Sequence, residues 1–91
     1  MGFAAQYVDS ELDRLMSLPI VNRDDVERWD VECRTVQETL ERQFPNFDLA
    51  HVVWHFFDDA DIRCRDIGCR EQQHQIIKNY VSSLRYEKQK I

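Results

Sequence analysis

Residues 21–44, "VNRDDVERWDVECRTVQETLERQF", decide how this chain folds. Val26, Trp29, Cys33, Val36, Leu40 and Phe44 recur at spacings of three and four. That is the pattern of an α-helix with one narrow apolar seam. Residues 22–44 therefore read as a helix of about 22 residues, roughly 33 Å long. Asn22 can cap its free first-turn amides, and Asp24 and Asp25 complement the helix dipole. Val21 and Val26 have the spacing of a hydrophobic staple around that cap. Pro45 stops the segment, because the residue before a proline is pushed out of the helical region.

Three further segments fit around this one. In residues 3–18, Ala4, Tyr7, Val8, Leu12, Leu15 and Met16 share one side of the helical wheel, and Asp9, Ser10, Asp13 and Arg14 the other. Residues 47–64 carry a stripe of Leu49, Val52, Val53, Phe56, Phe57 and Ala60, with Asn46 or Asp48 as cap. This segment either runs on to Cys64 or Arg65 or breaks within "DDAD", residues 58–61. Residues 67–88 start after a capping Asp66 and turn Cys69, Ile76, Ile77, Tyr80, Val81 and Leu84 inward. No segment alternates with period two, and with two glycines and two prolines the chain has little turn chemistry. The expected fold is all-α: a single domain over 1–91, an antiparallel bundle of four helices at about 3–18, 22–44, 47–64 and 67–88.

Charge and composition narrow the function. The net charge is −5, and basic residues are scattered except for Arg85, Lys88 and Lys90 near the C-terminal end. A nucleic-acid partner calls for a basic patch, so this balance argues against one. The longest near-apolar run, Leu49–Phe57, is nine residues and holds two histidines. A membrane span needs about 20 apolar residues. Three cysteines, an odd number, and an N-terminal stretch without a basic start and apolar run predict a cytoplasmic protein in a reducing compartment.

The chemistry is concentrated in "HVVWHFFDDADI", residues 51–62. His51, His55 and Asp58 stand at i, i+4 and i+7, on one line of a helix. Two imidazoles and a carboxylate are competent ligands for a divalent metal such as Zn²⁺ or Ni²⁺, although an exposed helix face also collects such residues without a metal. Trp54 and Ile62 fall off the apolar stripe, beside His51 and Asp58. An aromatic on the polar side of a helix points to a second contact surface. Trp54, Ile62, His51 and Asp58 are therefore the expected partner-binding residues, the partner being another protein or a second copy in a homodimer. Cys64, Cys69 and His74 are spaced by five and five, outside zinc-knuckle spacing. Cys33 and Cys69 lie on apolar stripes, where a free thiol behaves as a small hydrophobe.

Two acidic doublets complete the inventory: Glu38 and Glu41, then Asp58 and Asp61. The pattern resembles the E-x-x-E … E-x-x-D signature of the MazG-like nucleoside triphosphate pyrophosphohydrolases, departing from it at Asp58, where the pattern has Glu. The resemblance implies an all-α enzyme whose carboxylates hold Mg²⁺ on substrate phosphates. No serine has a nucleophile signature around it, and the two glycines form no phosphate loop. The expected function is a non-catalytic protein–protein interaction module, an adaptor, regulator or inhibitor. The alternative is a metal-binding protein or an Mg²⁺-dependent pyrophosphohydrolase.

Overall fold

The computed structural model describes the backbone of residues 2–89 and the side chains of residues 2–84. The basic cluster at Arg85, Lys88 and Lys90 lies outside the described side chains. Five helices follow in order: α1 (Phe3–Ser17), α2 (Arg23–Gln43), α3 (His51–Asp58), α4 (Ala60–Arg65) and α5 (Ile67–Gln89). No strand occurs among the described residues. The fold is all-α, as the periodicity predicts.

The seam of α2 is the spine of the core. Trp29, Cys33, Val36 and Leu40 are buried along it, with Val26 and Phe44 partly buried at its ends. Asn22 caps the helix by accepting the Asp25 amide at 2.9 Å. Asp25 reaches back to accept from the Val21 amide at 3.0 Å. The staple does not close: Val21 is 75% exposed, and its neighbour Ile20 is buried instead. The proline at position 19 precedes Ile20, and the short connection turns that side chain inward.

α1 runs antiparallel to α2. Arg14 pairs with Glu32 at 2.8 Å, the Trp29 indole donates to the Leu15 carbonyl at 3.0 Å, and the Tyr7 ring meets the Phe44 ring further along. α3 and α4 run back along α2, with Trp54 beside Leu40 and Phe44 and Arg63 over Trp29. Val8, Leu12, Leu15, Val53, Phe56, Phe57, Ile77 and Val81 fill the space between.

The third segment departs from the expected 47–64 in two ways. Its helix begins at His51, with Ala50 in an extended conformation at the cap position and no side-chain cap. Asn46 and Asp48 therefore do not cap it. The preceding stretch turns through Phe47 N–H to Phe44 C=O and places Phe47 and Leu49 against the core. Burial of two large side chains outweighs one capping bond. The segment then breaks at Asp59, where φ −105 and ψ 21 separate α3 from α4. Acidic residues are unfavourable at a helix C-terminus and favourable at an N-terminus. A break inside "DDAD" gives Asp61 to the favourable first turn of α4, while Asp58 stays at the unfavourable end of α3. Asp66 accepts from the Cys69 amide at 3.1 Å and caps α5 as its position predicts. Val52 and Ile76, assigned to apolar stripes, are more than a third exposed.

Candidate functional site

α3 and α4 present two different faces. On the outer face, His51, Trp54, His55, Asp58, Asp61 and Ile62 are all exposed. The helical turn brings His51 and His55 together: their Nε2 atoms stand 3.0 Å apart, with the rings edge to face. Among the described residues no three His, Cys, Asp or Glu side chains are grouped to hold a metal ion. Asp58, on the last residue of α3, is thus not gathered with the two imidazoles. Nor are Glu38, Glu41, Asp58 and Asp61 gathered as a carboxylate cluster.

Trp54 is 43% exposed and Ile62 41%. The covered edge of the indole leans on Phe57, ring centroids 5.8 Å apart. Trp54 also forms one wall of an open groove of about 170 Å³. Leu40 and Phe44 of the α2 seam line it from one side, and Phe47 and Leu49 of the connection from the other, with Glu41 at the edge. The groove exists because the 46–50 connection leaves α2 and returns to α3 without a helix covering the gap. Glu41 is the one charged residue among those lining the groove. Further back along α2, the Asp30 carboxyl is raised above its ordinary range by desolvation and by the neighbouring charge of Asp61.

The inner face holds a feature the sequence reading missed. Arg63, in the middle of α4, has no exposed surface. Its guanidinium carbon lies 4.2 Å from the Phe56 ring centroid and 4.7 Å from that of Trp29. Nη1 donates to the Phe56 carbonyl and, at 2.8 Å, to the Gln73 side-chain oxygen. The Gln73 amide in turn donates to Asp59 at 2.8 Å. Nε and Nη2 are buried without an acceptor among the described residues. Burial pulls the Arg63 pKa down to about 10, against the pull of Asp59. Two aromatic faces and a relayed carboxylate thus hold one buried cation where α2, α3, α4 and α5 meet. The only trace of this in the sequence is the period: Phe56 and Ala60 of the apolar stripe are followed, one turn on, by Arg63.

The thiols belong to this inner region. Burial pushes the Cys33 pKa up to about 12, with the Gln37 amide at 3.3 Å from its sulfur pulling the other way. Cys64 and Cys69 are half-buried, and all three thiols are free. His74 lies edge-on to Phe56, and burial, then Arg63, Lys78 and Arg70, hold its pKa below the ordinary histidine value.

No family model matches this chain, and no curated protein or solved structure matches it. Among the described residues no helix is long and apolar enough to cross a membrane.

Proposed function

We propose that this chain is a non-catalytic helical module that binds another protein, or a second copy of itself, through the groove walled by Trp54. The observation that carries the reading is the half-exposed indole above a floor of Leu40, Phe44 and Leu49. Covering the rest of a tryptophan is favourable, since each Å² of apolar surface removed from water contributes roughly 25 cal/mol. Tryptophan in such a setting is the residue type most often central to protein interfaces. Glu41 at the edge of the groove suits a partner segment that brings a basic residue there. Three free thiols suit a reducing compartment, so the cytoplasm is the proposed setting.

The test compares Trp54→Ala with Val31→Ala, a change at an exposed apolar residue elsewhere on α2. Light scattering over a concentration series reads self-association, and affinity capture with mass spectrometry reads partners. Association should be lost in Trp54→Ala and kept in Val31→Ala. A wild type that stays monomeric at high concentration, with a capture profile indifferent to Trp54→Ala, removes the reading.

A further inference from the structure

We infer that His51 and His55 form a two-nitrogen chelate for a divalent transition-metal ion that takes ligands at right angles, of the Ni²⁺ or Cu²⁺ kind. This rests on the histidine pair alone and is independent of the Trp54 groove.

The two imidazoles are one turn apart on α3, so the helix backbone sets their separation before any ion arrives. The two Nε2 atoms stand 3.0 Å apart on the exposed face of the helix. Without a metal, that distance is a hydrogen bond in which one ring donates and the other accepts. With a metal, the donating ring carries its proton on Nδ1 instead, and both rings tilt so that their Nε2 lone pairs face the ion. Imidazole nitrogens bind such ions at roughly 2.0–2.1 Å, so nitrogens this far apart subtend about 94° at the metal. A tetrahedral angle with the same bond length would separate them by about 3.3 Å. The spacing therefore fits adjacent corners of a square or an octahedron, the geometries of Cu²⁺ and Ni²⁺, better than those of Zn²⁺.

Both histidines are exposed, so water completes the coordination and an ion can enter without opening the fold. No third His, Cys, Asp or Glu of the described residues is grouped with them. The carboxylate of Asp59, which lines the neighbouring groove with His55, is already engaged by Gln73. The site is consequently a bidentate one with open positions, to which a donor from another molecule could be added.

The experiment is calorimetric titration of Ni²⁺, and separately of Zn²⁺, into the chain carrying no polyhistidine tag. The same titrations are run on His51→Gln, His55→Gln and His74→Gln. One Ni²⁺ should bind per chain, more tightly than Zn²⁺. Loss of an outer-shell partner already weakens metal sites by about 10–100-fold, so losing a ligand should cost at least roughly tenfold. His51→Gln and His55→Gln should both show that loss, and His74→Gln should bind as the wild type does. Both sites are exposed, so the variants should keep the wild-type circular dichroism. No Ni²⁺ binding by the wild type, undiminished binding in either of the first two variants, or Zn²⁺ binding as tight as Ni²⁺ overturns the inference.

Discussion

The inner and outer faces of α3 and α4 are built from the same kinds of residue and behave in opposite ways. Inside, an aromatic pair and an arginine lock together under four helices: Arg63 sits in the corner between the perpendicular rings of Trp29 and Phe56, and Gln73 and Asp59 complete the polar contacts. Outside, Trp54 leans on Phe57 over an uncovered groove, and two histidines meet only each other. What separates the two is cover. α2 and α5 close over the inner cluster, which fixes its geometry and shifts its ionisation. Nothing in the described chain closes over the outer one, so its residues stay available to an ion or a partner. Chemistry of one type becomes structural or accessible according to which side of a helix it occupies.

Substitutions on the inner face should have the largest effects. Trp29→Ala removes a fully buried side chain, its hydrogen bond to Leu15 and one of the two rings that hold Arg63. The expected loss of stability is about 3–5 kcal/mol, read by urea unfolding. A loss below about 1 kcal/mol would mean that the α2 seam is not the spine of the core, and the contrast with the outer face would collapse.

Arg63 separates packing from charge. Arg63→Ala should cost about 2–4 kcal/mol, because it leaves a cavity and strands the Gln73 oxygen. Arg63→Met keeps the stem volume and removes a cation with two unpaired nitrogens. It strands the same Gln73 oxygen but leaves less of a cavity, so it should cost less than Ala, about 1–2 kcal/mol. If Met proves as damaging as Ala, the polar contacts rather than packing against the two rings hold this junction.

Smaller effects sharpen the comparison through ionisation. The folded His74 pKa lies below the ordinary value of about 6.5, so over the interval between them the unfolded chain binds more protons. Stability contributed by neutral His74 is full above that ordinary value and declines as pH falls through it toward the folded pKa. The melting temperature should therefore drop between about pH 7.5 and 5.5, less steeply in His74→Gln. An identical slope in both proteins would show that His74 is not desolvated. Thiol labelling makes the same distinction with no substitution. With its pKa pushed up to about 12, Cys33 should react with iodoacetamide at least about tenfold more slowly than Cys64 or Cys69. Peptide mass spectrometry over time reads the order, and early labelling of Cys33 would show the inner face to be open.

The all-α fold, the α2 seam and the Asn22 and Asp66 caps could be read from the chain, because each depends on spacing within one segment or on a side chain bonding to its own backbone. The four-residue spacing of His51 and His55 was equally local, and the helix brings the pair together. The late start of α3 could not be read, since Asn46 and Asp48 are good caps and only the burial of Phe47 and Leu49 displaces them. Val21, too, obeys the staple spacing but is overruled by Ile20, whose burial depends on the route of the chain after Pro19.

Tertiary structure alone decided the fate of the polar residues. Arg63 carries a charge that by itself belongs in water. Its burial is tolerable only because Trp29, Phe56 and Gln73, from three different helices, converge on it. Asp58 stands in the sequence as a third ligand, yet the two histidines turn to each other and it is not grouped with them. Helix periodicity is set by bonds between residues four apart, so one segment suffices to reveal it. Desolvation, charge pairing and access to solvent are set by whatever packs against a residue from elsewhere, and in this chain those neighbours lie up to tens of residues away.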